Sequence, residues 1–247
     1  MTELSTYLDI ASDAARQAGA FLAGRSAATR GIEKEDGRDI KLVADRKAEN
    51  LILDILRARA DLPVLAEESG QSGELSGLYW VVDPLDGSAN YQRGLPLCAV
   101  SIALMRDQDP VLGAIYDIGT GALLTGGEGI PAALDGVPVS VSTVSEKSSA
   151  VLATGLPVMA DYSPDALQDM AASFAAWKKV RMLGTATLAG AYVAMGRIDR
   201  YSENGARLWD VAAAMAIARA AGGRAEISAG SAEDPRHILI DNGKLPD

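Results

Sequence analysis

The chain of 247 residues has one cysteine, one histidine and fewer basic than acidic residues, and it has no apolar run of membrane-spanning length. Each shortage removes a class of protein. Cys98 lies in an apolar run with no second cysteine to pair with, so no disulfide braces the fold. That fits a reducing compartment, and a cytoplasmic location is expected. His237 has no second histidine, which leaves zinc chemistry and a serine–histidine triad without support and gives the residue a structural place. Met1-Thr2-Glu3-Leu4-Ser5 has no basic segment leading into an apolar one, and no window approaches the roughly 18 unbroken apolar residues of a span, so a soluble protein with no membrane partner is expected. With 33 acidic against 23 basic residues the net charge is −10, which disfavours a nonspecific grip on nucleic acid. An acidic chain that handles an anionic substrate needs cations to help. No internal repeat is visible.

What is present suits one large domain or two closely packed lobes, long enough to bury roughly 70–75% of the unfolded surface. Apolar residues from Leu4 to Leu22 recur at helical spacing, with Thr2 as the cap. Gly31 to Lys41 is polar and charged and reads as a loop. A second helix runs from about Ala44 to Ala60. Leu62 to Ala66 is a short strand, and between Val111 and Ser142 apolar runs broken by Gly119-Thr120-Gly121 and Asp135-Gly136 predict an antiparallel meander, the main sheet. The serine-rich stretch from Val144 to Ser149 marks the boundary between an N-terminal lobe, 1–143, and a C-terminal lobe, 144–247, within one compact unit. Strands and helices then alternate: a strand at 150–154, a helix opened by Ser163-Pro164, a strand at 180–183, a helix at 187–195, a strand at 198–201 and a helix from Trp209 to Ala221. Two short strands, 224–227 and 237–240, end the chain.

Carboxylates collect where these elements begin and end. Trp80-Val81-Val82-Asp83 reads as a buried strand that should stop at Pro84, which donates no backbone hydrogen bond. Asp86-Gly87-Ser88 then reads as a turn feeding a helix, a corner able to hold hard cations on Asp83 and Asp86 and a phosphate on the amides of Gly87 and Ser88. The same Asp-Gly pair is equally a hairpin signal. Glu67-Glu68 follows the strand at 62–66. Asp45 and Asp210 each stand in the first turn of a helix, where an acid also complements the helix dipole. If these groups converged, their mutual repulsion would demand protonation or metal ions, and an all-oxygen set selects magnesium, manganese or calcium.

Glu67-Glu68-Ser69, the stretch from Trp80 to Tyr91 and Trp209-Asp210-Val211-Ala212-Ala213 together resemble the three signatures of the inositol monophosphatase family, in order and spacing across roughly residues 34–230. The resemblance implies an α+β fold, an α-β-α-β-α layered sandwich of the inositol monophosphatase and fructose-1,6-bisphosphatase type. It also implies magnesium-dependent hydrolysis of phosphate monoesters, often lithium-sensitive, with two or three magnesium ions per site and manganese as the substitute. By matching position, Glu67, Asp83 and the Leu85 carbonyl would hold one ion, and Asp83, Asp86 and Asp210 a second. Glu68 would support the first ion's water shell, Asp45 and the Ser88 hydroxyl would orient the attacking water, and Gly87 and Ser88 would orient the phosphate. Lys34 falls where the family often carries a lysine in the metal-site loop. Glu203 and Arg207 resemble the bacterial members' substrate segment, and Gly184-Thr185-Ala186 the segment that approaches the sugar ring.

The expected substrate is inositol monophosphate or a similar small polyol phosphate, and the expected assembly a homodimer. The same metal motifs occur in 3'(2'),5'-bisphosphate nucleotidases, histidinol-phosphate phosphatases and sugar bisphosphatases, which stand as alternatives. A catalytically weak, metal-binding regulatory protein is the reading from another class. Four positions depart from the family pattern without removing a ligand: Ser88 for threonine, which loses a rotamer-locking methyl, Tyr91 for phenylalanine, Ala44 for threonine and Ala214 for glycine.

Overall fold

Trp80 and Val82 point to one side of a strand and Tyr79 and Val81 to the other, and all four are buried. A strand apolar on both faces must lie between two packed layers. In the computed structural model, which describes residues 3–24, 32–36, 39–156, 161–231 and 234–246 (side chains of 32–42 excepted), it is strand β5 of an eight-stranded sheet. The chain order is α1 (Glu3–Ala23), β1 (Ile32–Asp36), β2 (Asp39–Leu42), α2 (Val43–Arg59), β3 (Val64–Ala66), β4 (Gly70–Ser72), β5 (Leu78–Asp86), α3 (Ser88–Arg93), β6 (Ala99–Arg106), β7 (Asp109–Asp117), β8 (Ala122–Gly127), β9 (Ile130–Leu134) and β10 (Val137–Pro138). The second half adds β11 (Val151–Thr154), α4 (Pro164–Ser173), β12 (Lys179–Met182), α5 (Ala186–Ala194), β13 (Arg200–Ala206), α6 (Leu208–Ala220), β14 (Arg224–Ile227) and β15 (Arg236–Asp241).

The large sheet runs β10-β9-β8-β7-β6-β5-β3-β4, antiparallel except for the parallel pair β3–β5. The second sheet runs β12-β11-β13-β15-β14. Helices α1 and α2 cover one face of the large sheet, burying Ala11, Ala15, Ile52 and Leu56 against Trp80, Val82, Ile102 and Leu104. On its other face α5 and α6 lie between the two sheets, so Val81, Ala103 and Ile115 share a core with Leu188, Val211, Met215, Tyr201 and Ile240. This central layer is rich in alanine because space is short: a Cβ at Gly113 of β7 would stand 2.3 Å from the carbonyl of Ala213. Helix α4 borders the outer face of the second sheet and buries no residue. The layers are those of the expected α-β-α-β-α sandwich.

Several elements differ from their sequence expectation. The loop expected over 31–41 contains an antiparallel ladder, β1 with β2, pairing Asp36 with Asp39 around Gly37 and Arg38, which lie outside the described residues, as does Thr2. The strand expected to stop at Asp83 continues through Pro84 to Asp86. Proline is tolerated because the ladder with β3 has ended at Ala66↔Val82, while the ladder with β6 jumps from Asp83↔Ser101 to Asp86↔Ala99. Pro84 therefore occupies a bulge, where no partner asks for its missing N–H. The strand expected at 198–201 reaches Ala206 and carries Glu203 within it.

Candidate active site

The bulge in β5 brings its two aspartates close together at the end of the strand. Asp83, 2% exposed, accepts a hydrogen bond from the Leu85 amide at 2.9 Å. Burial first, then the neighbouring carboxylates of Glu67, Asp86 and Asp210, push its carboxyl well above the ordinary aspartate range. Glu67 reaches Asp83 because β3 lies parallel to β5, its own amide donating to the Val82 carbonyl at 3.2 Å. Asp210 sits at the start of α6 with Oδ2 accepting from the Arg207 amide at 2.9 Å, and burial with the charges of Asp86 and Glu67 raises it too. Four carboxylates from three separated junctions thus oppose one another's ionisation, which is the convergence expected for Glu67, Asp83, Asp86 and Asp210.

Asp86 is held from the second half of the chain. Its Oδ2 accepts from the Thr185 hydroxyl and, at 2.7 Å, from the Thr187 amide. Burial raises its pKa, while these bonds and the Gly87 amide work in the opposite direction. Thr185 is the N-cap of α5, and Thr187 in turn donates its hydroxyl to the Asp210 carbonyl at 2.8 Å. Gly87, at φ 83°, could carry no side chain without meeting the Leu97 carbonyl at 2.7 Å. It starts α3, whose six residues form too short a helix for a large dipole, and its own amide is turned toward Asp86, so the Ser88 amide is what this corner can offer an anion. Asn90 on α3 fastens the two halves together, its amide donating to the carbonyls of Leu97, Leu183 and Gly184.

Asp45 is buried on α2, and Glu68 follows Glu67 in the half-buried turn after β3. The Leu85 residue is buried between the two aspartates of β5. The side chain of Lys34 lies outside the described residues. Glu203 projects from β13 beside Tyr201, and burial together with the charge of Asp86 raises its pKa to about 7. It lines a cavity of about 430 Å³ with Thr154, Gly155, Ser202 and Asn204 and with Asp161, Asp169 and Phe174 beyond them. Gly155 is what makes room: a Cβ there would lie 2.2 Å from Glu203 Oε2. Arg207 is not among the cavity residues; its guanidinium lies over the Trp209 ring at 5.8 Å. The Gly184 carbonyl faces Asn90, and Ala186 opens α5.

The donor chemistry suits hard divalent cations, since every group is an oxygen and the cluster is destabilised by its own charge. Among the described residues no three Asp, Glu, His or Cys side chains are already arranged to hold an ion; each aspartate instead turns one oxygen to a nearby donor. Sequence reasoning missed the residues that hold the ligands: Thr187, Asn90, Gly155 and, on α2, Glu49, whose carboxylate accepts from the Glu68 amide at 2.9 Å. Apart from Leu97, seven positions from Asn90, their partners are 19 to 101 positions away or, for Gly155, on a different strand, and no local pattern signals such contacts.

Comparison with known proteins follows the same lines. The model of the inositol monophosphatase family matches residues 3–244. An inositol-1-monophosphatase of Synechocystis is 34% identical, the match covering 99% of this chain and 87% of that one. The Nus factor SuhB of Escherichia coli K12 is 35% identical over 87% of this chain and 83% of its own length. Among solved structures, inositol monophosphatase from Anabaena superposes with a TM-score of 0.86 at 35% identity, over 98% of this chain and 93% of that one. With sequence matched nearly end to end and all layers shared, this chain belongs to the inositol monophosphatase family, a family of phosphoric monoester hydrolases.

Proposed function

We propose that the protein is a magnesium-dependent hydrolase of inositol monophosphate or a similar small polyol phosphate. The observation that carries the proposal is the convergence of half-buried Glu67, Asp86 and Asp210 on buried Asp83, with Glu203, which feels the charge of Asp86, lining a cavity beside them. Glu67, Asp83, the Leu85 carbonyl, Asp86 and Asp210 are the groups that would hold the cations, which when bound supply a lowered pKa for water and neutralisation of charge on the phosphate and the leaving oxygen. The chain's own residues do the rest. Thr185 and Thr187 keep Asp86 in one rotamer, and the Arg207 amide does the same for Asp210. Asp45, with the Ser88 hydroxyl, orients the attacking water and takes its proton. The Ser88 amide faces the phosphate, and Glu203 accepts hydrogen bonds from hydroxyls of the alcohol.

The same cavity favours a monophosphate over the bisphosphates. Asp161, Asp169 and Glu203 line it and, among the described residues, no lysine or arginine does, so a second phosphate would meet like charge. Buried Cys98, the only cysteine in the sequence, supports a reducing, cytoplasmic setting, and the family resemblance supports a homodimer, which light scattering would correct if it showed a monomer. The deciding experiment is a phosphate-release screen over inositol phosphates, adenosine bisphosphates, histidinol phosphate and fructose bisphosphate, with and without magnesium. Release from the inositol phosphates should be fastest, vanish with excess chelator and fall at least ~100-fold in Asp86→Asn. A preference for a bisphosphate would overturn the substrate, and full activity of Asp86→Asn would overturn the mechanism. No release from any of them, with magnesium still bound, would favour the regulatory reading.

A further inference from the structure

Glu49 is 1% exposed and lies one helical turn beyond Asp45 on the same face of α2. Burial raises its carboxyl above the ordinary glutamate range, so the position does not favour a charge for its own sake. A buried acid is tolerated where its hydrogen bonds are satisfied, and here the donor comes from one short segment. The Glu68 amide donates to it at 2.9 Å, and Ser69 lies beside it, close enough for its amide and hydroxyl to favour the ionised carboxylate. That segment is the turn between β3 and β4. Ser69 is exposed, Gly70 has φ 73° with open space around its Cα, and β4 is an edge strand paired only with β3. At the head of the turn Glu67 is tied to β5 through Val82 and Asp83.

We propose that Glu49 is a positioning residue, clamping the backbone of Glu68 and Ser69 so that Glu67 stays against Asp83 in the geometry needed to take up a cation. The proposal rests on the cation reading above. The Glu68 amide and Ser69 both face this carboxylate, and glutamine keeps an acceptor oxygen on one side only, turning an NH₂ group on the other. Loss of such an outer partner loosens the ligand it steadies, which in metal sites typically weakens affinity by about ten- to a hundredfold.

The test compares wild type with Glu49→Gln, Ser69→Ala and Leu8→Ala, the last a core change in α1 remote from the turn. Two readouts are taken: the magnesium concentration at the midpoint of thermal stabilisation, with no substrate present, and the concentration that half-activates phosphate release. Glu49→Gln should raise both midpoints about tenfold, and Ser69→Ala, which removes the hydroxyl beside the carboxylate, should raise them about threefold. Leu8→Ala should lower Tm and move neither midpoint. A folded Glu49→Gln with a lower Tm and wild-type magnesium midpoints would overturn the proposal by showing a merely structural role. If Glu49→Gln does not fold, Ser69→Ala decides alone, and unchanged midpoints there overturn it. Wild type that is stabilised by magnesium yet releases no phosphate would refute the phosphatase reading and leave this test intact. Wild type that magnesium does not stabilise would remove the cation site and this proposal together.

Discussion

A methyl group at position 155 would fall 2.2 Å from the end of the Glu203 side chain, a contact only movement of that side chain can relieve. Glu203 is flexible at its tip, so Gly155→Ala is expected to destabilise the fold by less than ~1 kcal/mol while displacing the one strand carboxylate that faces the cavity. KM for the phosphate substrate should rise about tenfold with a smaller change in kcat, as steady-state kinetics would show; an unchanged KM would mean that Glu203 does not touch the alcohol. At this scale the carboxylates were legible in the sequence, because Glu67-Glu68, Asp83-Pro84-Leu85-Asp86 and Trp209-Asp210 each stand at an element junction in a compact pattern. The residues that orient them were not. Thr187 meets Asp86 across 101 positions and Asn90 meets Leu183 across 93, and neither residue type is unusual where it stands.

Elements were read best where local chemistry alone decides them. Ser163-Pro164 does open α4, with the Ser163 hydroxyl accepting from the Ala166 amide at 3.3 Å, and the Asp135-Gly136 turn does separate β9 from β10, with φ 47° and 80° at the two residues. They were read worst where a neighbouring strand decides, as at Pro84, whose tolerance depends on where β3 ends and how β6 slips. The charged ladder of β1 and β2 likewise has none of the apolar alternation by which a strand announces itself. The second sheet has its own ionic fastening. Asp241 of β15 is fully buried and accepts from Arg200 of β13 at 2.8 Å and from Arg224 of β14 at 2.9 Å. Burial alone would raise its pKa, but the bonds from Arg224, the Gly243 amide and Arg200 win and hold it below the ordinary range. Its stabilisation is therefore complete above the unfolded value of about 3.9 and is lost as pH falls through the lower native value. Tm followed from pH 7 to pH 2 should drop for wild type over that acid window. Asp241→Asn should start lower by about 3 kcal/mol, having left Arg200 buried without its partner, and should lose less on acidification. Parallel curves for the two proteins would refute this.

For the whole molecule, the layer formed by α5 and α6 is the decisive feature. Its apolar faces belong to one core with both sheets, whereas the core under α1 and α2 is built from the first half alone. The sequence reading places a lobe boundary near 144–149, and because both lobes contribute to the shared core they are expected to unfold together. Trp80 lies in the core under α1 and α2, whereas Trp209 packs on the central layer and Trp177 stacks with Arg200. Urea unfolding followed by tryptophan fluorescence and by far-ultraviolet circular dichroism should give coincident single transitions. Separate midpoints would show two independent units.

By itself the sequence determined the acidic, disulfide-free character of the protein, most of its helices and meander strands, and the identity of the carboxylates around which its chemistry turns. These depend on residue type and on spacing over a few positions, where hydrophobic period, proline, glycine and capping chemistry act locally. Only the tertiary structure decided that β5 would pass through Pro84, that Asp86 would be gripped by α5, that Glu203 would look into a cavity opened by Gly155, and that Glu49 would hold the turn of Glu67 and Glu68. Each of those depends on which distant segment arrives at a given place, and that is settled by the burial of two sheets against one shared layer of helices.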